Sequence, residues 1–464
     1  MSVARVSDRQ IFALAVPALG ALVAEPLFLV VDSAIVGRLG TTELAGLSVA
    51  AGLLATALWP FVFLAYGTTA TVARGLGSGR LQAALQSGVD GVWLALALGV
   101  LVAVPALVWS GPLVTAFGAG PQVSDQAQIY LRWSLLGLPA MLVVFATTGV
   151  LRGLQDTRTP LLVAGAGAGV NAGLNLLLVH GVRLGIAGSA IGTAATQLGM
   201  AAVLVAVVVR AARRHQTSLR PRLVGLAGVW RGGVPLLVRT VCLRIALLLT
   251  TWVASRMGAV PLAAHQVVTN LWILLALALD ALAIAAQALT GMALGAGDRA
   301  AARAATTRTL YWGVLLGGLL GLVLLLVRHP LAAAFSGDPQ VRRAIAAALV
   351  VAALAQPLAG YVFVLDGVLI GAGDGRYLAV SAVGQVLLFV PLALAVAAFA
   401  PRGTAGLVWL WVSLTAGHTL ARAVTLGWRA RGDTWLVTGP RPPSTRPPSS
   451  GHFSGESPGG SPER

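Results

Sequence analysis

Apolar residues fill most of this chain in stretches of about 20, the length at which a helix crosses a hydrocarbon core. Twelve such stretches fall near residues 11–36, 45–72, 86–109, 129–150, 160–180, 186–209, 233–255, 263–291, 307–327, 344–369, 378–399 and 404–428. Several are interrupted by Pro or Gly. The fold class this predicts is an all-α integral membrane protein with twelve transmembrane helices. The polar start MSVARVSDRQ leads into the first stretch without a small-residue cleavage site, so that stretch reads as a span and not a removable signal. From Pro440 the pattern is lost. The segment PRPPSTRPPSSGHFSGESPGGSPER holds seven Pro, six Ser and four Gly, a composition that cannot bury a core and predicts disorder.

The pattern also repeats. Laid on itself without a gap so that Pro17 meets Pro235, the sequence brings Arg38-Leu39-Gly40 onto Arg256-Met257-Gly258, and Gly77 and Gly79 onto Gly295 and Gly297. Pro121-Gln122-Val123 meets Pro339-Gln340-Val341, and Gly149-Val150-Leu151-x-Gly153 meets Gly367-Val368-Leu369-x-Gly371, followed by Asp156 and Arg158 against Asp374 and Arg376. Matched Ala and Leu mean little in so apolar a chain, so proline is the sharper test. Of eight prolines in residues 1–210, four land on another proline. Chance would give about 0.3, and self-similarity at a fixed period signals duplicated architecture. Each copy holds an even number of spans, so the two six-helix lobes share one orientation and are related by a pseudo-two-fold along the membrane normal. The expected division is a first lobe at 1–210, an Arg-rich cytoplasmic linker at 211–231, a second lobe at 232–432 and a disordered cytoplasmic tail at 433–464.

Composition agrees with the span count. The 464 residues are 57% hydrophobic and 10% charged, with a mean hydropathy of +0.85, too few charges to solvate a globule of this size. A net charge of +17 would on its own point to nucleic acid. All 32 basic residues are arginine, however, and most sit between apolar runs, so the charge reports membrane orientation and no nucleic-acid partner is expected. With a cytoplasmic N-terminus the inner segments hold 18 arginines and the outer ones 7, which predicts both termini in the cytoplasm. Cys242, the one cysteine, excludes an internal disulfide and any Cys-cluster metal site.

A charge inside the bilayer is costly unless paired, solvated or neutralised, so such residues are candidates for function. Of 15 acids, five fall within spans: Glu25, Asp32, Asp90, Asp280 and Asp366. Asp90 lies near a helix end and reads as solvated. Asp366 sits one turn before GAGDGR and reads as a contact to that loop or as a transport group. Asp280 is mid-span, either a partner of Arg239 or Arg244 or a cavity group. Glu25 and Asp32 lie two turns apart on one face of the first helix, which Pro17 and Pro26 allow to bend. A carboxylate that can lose its proton on a helix that can bend is a candidate coupling element; the alternative is a hydrogen-bonded pair that fixes helix packing. Asn171 and Asn175 share a face of the fifth helix and, with Gln197, Gln287 and Asp280, are candidates to line a cavity. Gly165, Gly167, Gly169 and Gly173 form no phosphate-loop register and read, like Gly313, Gly317 and Gly321, as small-residue faces for close helix approach. The six histidines never cluster at metal-ligand spacing. With no nucleophile beside a base, an enzyme finds no support, and no metal or bound cofactor is expected.

Together, PLFLVVDSAIVGRLGTTELAGLS, VLRGLQDTRTPLLV, GIAGSAIGTAATQ, PLAAHQV, AIAAQALTGMALGAGD and VLDGVLIGAGDGR resemble the multidrug and toxic compound extrusion (MATE) transporters, within them the DinF-like branch. The resemblance covers residues 11–430. It implies two lobes forming a V, alternating access, and export driven by a proton or sodium gradient, with Asp32 as the ion-responsive carboxylate. Relatives that carry a second acid on the fifth helix place it where this chain has Asn175, so either Asp32 works alone or Glu25 supplies the second acid. The acids of sodium-coupled relatives are not clearly reproduced in the second lobe, which favours the proton. The expectation is a monomeric proton antiporter of small amphipathic, cationic compounds in the lipid of a bacterial inner membrane. The alternatives are a sodium-coupled exporter and an exporter or flippase of a lipid-linked or endogenous metabolite. A non-transporting scaffold would not need Glu25 and Asp32 in one proline-broken helix. A facilitator-type carrier would carry an acid in the loop RGLGSGRLQAA.

Overall fold

In lipid a backbone must satisfy its own hydrogen bonds, and for long apolar runs the helix does so. The structure, a computed structural model that describes residues 7–439, is helical almost throughout. The first lobe is α1 (Asp8–Val36), α2 (Thr41–Gly77), α3 (Leu81–Val108), α4 (Pro121–Gly153), α5 (Arg158–Gly181) and α6 (Ile186–Arg214). The second is α7 (Leu223–Arg256), α8 (Ala259–Gly295), α9 (Arg299–Phe335), α10 (Pro339–Gly371), α11 (Gly375–Phe399) and a composite α12. That last rod runs through Thr404–Val412, a π turn Ser413–Thr419 and Leu420–Arg431. Among the described residues eleven helices are long and apolar enough to span; the twelfth rod, which carries His418 and Arg422 along its length, is not one of them.

Most helices outrun their apolar windows, because the hydrogen-bond ladder continues into the polar region where arginines are solvated. The same extension shortens the linker: α6 runs to Arg214 and α7 starts at Leu223, leaving only 215–222 outside helices in place of 211–231. α1 passes through Pro17 and Pro26 as one helix. Residues 433–439, expected to be the start of the tail, are packed: Trp435 and Leu436 are buried. Residues 440–464, where disorder was predicted, lie outside the described residues.

The duplication is visible in the backbone. Positive φ angles occur at Gly79 and Gly297, at Gln155 and Gly373, and at Gly185 and Gly403, each pair made of equivalent positions in the two copies. α4 and α10, equivalent in the same way, are the hubs of their lobes, 67% and 61% buried over their apolar windows against 39% or less elsewhere. Gly313, Gly317 and Gly321 bring α9 directly against the backbone of α10. Of Gly165, Gly167, Gly169 and Gly173 on α5 only Gly167 meets a neighbour, Met200 foremost; the other three have open space beside them, so this stretch is not the small-residue contact face its composition predicted.

The lobes meet at the end of the bundle that holds the start of α1. There Gly77 abuts the Met292 carbonyl and Gly295 abuts the Arg74 carbonyl, the same contact seen from either side of the pseudo-two-fold. Ion pairs join Arg222 to Asp90 (3.2 Å) and Arg308 to Asp8 (2.6 Å). Asp90 is therefore fully buried and paired, not solvated: α7 starts with Arg222 over it and Gly225 packed against it. Nearer mid-span the Tyr66 hydroxyl donates to Asp280 (3.3 Å) and Gln287 Nε2 donates to the Tyr66 carbonyl (2.6 Å). Among the described residues no hydrogen bond or ion pair joins the lobes beyond that level.

Candidate ion-coupling site

Asp32 sits near the far end of α1 and is 3% exposed. Three other helices of the first lobe converge on it. Tyr130 of α4 donates its hydroxyl to Oδ2 at 2.7 Å. Asn175 of α5 donates Nδ2 to Oδ1 at 3.0 Å, and the Ser189 hydroxyl of α6 donates to the same oxygen. Asn175 Nδ2 also reaches Asn171 Oδ1 (3.3 Å), and Asn171 Nδ2 reaches Thr193 Oγ1 (3.1 Å). A buried carboxylate is tolerable when its lone pairs are satisfied, and here every donor to Asp32 is neutral.

The repeat shows how particular this arrangement is. In the second copy the positions equivalent to Asp32, Tyr130, Asn171, Asn175, Ser189 and Thr193 are Thr250, Ala348, Phe389, Ala393, Leu407 and Trp411. The second lobe fills that space with apolar side chains, among them buried Phe389, Leu407 and Trp411.

The second lobe keeps its acids elsewhere. Asp366 accepts from Arg239 Nε (3.1 Å) and Nη2 (2.7 Å) and from Arg422 Nη2. This carboxylate is locked by two guanidinium groups and does not serve the GAGDGR loop. Arg239 is thereby committed to Asp366 and not to Asp280, and Arg244 lies over the Trp59 ring at 5.5 Å. Tyr66, Arg239, Asp280, Gln287, Phe363 and Asp366 line a small cavity where the lobes meet.

Of the residues singled out in sequence, Asp32, Asn171 and Asn175 are brought together. Glu25 is not. It is exposed and, among the described residues, has no hydrogen-bond or ion-pair partner. Gln197 is half-buried and, among the described residues, makes no hydrogen bond, and Gln287 and Asp280 belong to the interface between lobes. Tyr130, Ser189 and Thr193 escaped sequence reasoning. A hydroxyl in an apolar helix satisfies itself on its own backbone in most places, as Thr196 does here, so its presence signals nothing.

The family model MatE matches residues 17–177 and 235–395, two copies at the offset of the internal repeat. The chain is 29% identical over 456 residues to Protein DETOXIFICATION 45, chloroplastic, of Arabidopsis thaliana, covering 92% of this chain and 80% of that one. It is 26% identical over 461 residues to the DNA damage-inducible protein F of Escherichia coli K12, covering 93% of this chain and 94% of that one. Among solved structures it superposes on the outward-facing conformation of a multidrug resistance MATE family transporter with a TM-score of 0.81, at 20% identity, covering 91% of this chain and 94% of that one.

Proposed function

The chain belongs to the MatE family of membrane transporters, and from that membership we propose that it exports small amphipathic compounds, cationic ones first, by proton-driven alternating access. The observation that carries the proton is the way Asp32 is held. Its partners are two hydroxyls and an amide, all presenting hydrogens. Hydroxyls can turn from donor to acceptor when the carboxylate becomes an acid, so the pocket accommodates either protonation state. A sodium ion would need both hydroxyls turned away as donors and their oxygens, with Asn175 Oδ1, drawn onto it beside the carboxylate; the proton needs no such convergence.

The cycle follows. Ionised Asp32 draws a cationic substrate toward the first lobe. Protonation removes that attraction and rearranges the hydrogen bonds of Tyr130 and Ser189, so proton and substrate prefer different states of one bistable element. With substrate released outward, the lobes rock about their contact and the proton leaves to the cytoplasm. The arginine bias supports a cytoplasmic contact face carrying both termini; a bacterial inner membrane and a monomeric working unit complete the proposal. Transport of cationic dyes into proteoliposomes, under a proton gradient and a sodium gradient imposed separately, tests the reading. Uptake that follows sodium alone overturns it.

A further inference from the structure

We propose that Asp433–Gly439 is a latch holding the lobes together at their contact face, with Arg74 as its keeper. The segment is fixed to the second lobe along its whole length. Asp433 pairs with Arg303, Trp435 Nε1 donates to the Ala430 carbonyl (3.1 Å), and Gly439 N donates to the Leu294 carbonyl (3.0 Å). Trp435 and Leu436 are buried in the same apolar cluster as Leu294 and Leu426. From that fixed position the segment turns two carbonyls toward the other lobe. Arg74 Nη2, from the last turn of α2, donates to Val437 O and Gly439 O at 2.7 Å each, and Nη1 donates to Ala372 O at 3.1 Å. One guanidinium of the first lobe is thus seated among three carbonyl oxygens of the second, and hydrogen bonds from an ionised donor are the strong class.

The repeat says what this segment is. Residues 433–439 are the counterparts of 215–221, which lie in the covalent linker between the lobes. In the first copy the segment leaves its lobe and continues into the other. In the second copy the equivalent segment reaches across and grips Arg74. The lobes are therefore joined on one side of the pseudo-two-fold by a hinge that cannot open and on the other by polar contacts that water can replace. Met292, the counterpart of Arg74, has no charge to offer, so the tie exists once. Opening the contact face requires Arg74 to leave its carbonyls, and the latch biases the molecule toward the state closed there.

The proposal rests on alternating access, not on which ion drives it. The test places spin labels at Arg80→Cys and Arg299→Cys, one on each lobe at the contact face, in a Cys242→Ser background, and measures their distance distribution in liposomes. The chain ended after Gly439 should match the full chain. The chain ended after Gly432, and the full chain with Arg74→Gln, should raise the ratio of long to short distances about tenfold; Arg74→Lys should fall between, since an ammonium lacks the planar fork. If both the end at Gly432 and Arg74→Gln keep the full-chain distribution, the latch is overturned. It is equally overturned if ending after Gly439 opens the face as much as ending after Gly432. Should the shorter chain fail to fold, Arg74→Gln alone decides. A full chain whose distance never lengthens with substrate or an imposed gradient overturns alternating access and the latch with it, a result distinct from the other two.

Discussion

At the scale of single residues, the contrast that matters is between Asp32 and Asp366, two buried acids held by opposite kinds of partner. Asp366 is fixed by Arg239 and Arg422, and removing its charge leaves two guanidiniums in a buried site. Breaking such a cluster costs about 3–5 kcal/mol, so Asp366→Asn should show chiefly as a lowered thermal midpoint and poor yield. Asp32→Asn removes one acceptor among neutral donors and should cost about 1–3 kcal/mol, leaving a folded protein whose proton-driven export is lost. Wild-type export by Asp32→Asn under a proton gradient would end its coupling role, with Asp280 next to be tested. Glu25→Gln should be mild, because Glu25 is exposed and contacts no polar group among the described residues. The spacing rules located Asp32, Asn171 and Asn175, since amides and acids are rare in apolar helices. They also placed Glu25 with Asp32, two turns apart on α1; a shared face does not guarantee shared neighbours, and only the positions of α4, α5 and α6 decide which level of α1 is covered.

At the scale of elements, glycine shows the same limit. The run Gly313-x3-Gly317-x3-Gly321 on α9 and the run of four on α5 read alike in sequence, yet only the first lies against a partner backbone. A side chain at Gly317 would collide with Gln356 and Pro357 of α10. Overpacking of that kind costs about 1–3 kcal/mol or more, so Gly317→Leu should depress the thermal midpoint while Gly169→Leu should leave it nearly unchanged. Equal effects on the two midpoints would mean that α9 and α10 tolerate separation. The spans themselves were legible because length and apolarity suffice to specify a membrane helix. Their ends were less so, because nothing in an arginine says whether it stands on the helix or after it. The π turn in α12 and the packing of 433–439 depend on contacts from distant parts of the chain and left no local mark.

At the scale of the whole molecule, the duplication was legible position by position, and proline and glycine carried it because their backbone demands recur with the turns they make. The closure between lobes was not legible, since it joins parts of the chain that lie far apart in sequence. It nevertheless obeys the repeat, with one inversion: the shift that carries Pro17 onto Pro235 carries Asp90 onto Arg308. Each copy's third helix therefore pairs with the start of the other copy's first helix, Asp90 with Arg222 and Arg308 with Asp8, the polarity reversed. The two pairs differ in setting. Asp90 is fully buried and also accepts from the Arg222 backbone N at 3.0 Å and from Gln86 at 3.3 Å, whereas Asp8 and Arg308 are both substantially exposed. Exposed pairs are weakened by salt and contribute little; a buried acceptor that loses its charge leaves donors unsatisfied. Asp90→Ala should accordingly open the contact face by about tenfold or more, the equivalent of at least about 1.4 kcal/mol, and salt should not reproduce it. Asp8→Asn should open it only slightly, and raising salt on the intact chain should do the same. The reversal Asp8→Arg with Arg308→Asp should restore what either change alone removes. Distances across the contact face report all of these, and an Asp8→Asn effect as large as that of Asp90→Ala would show that burial is not what ranks the two pairs.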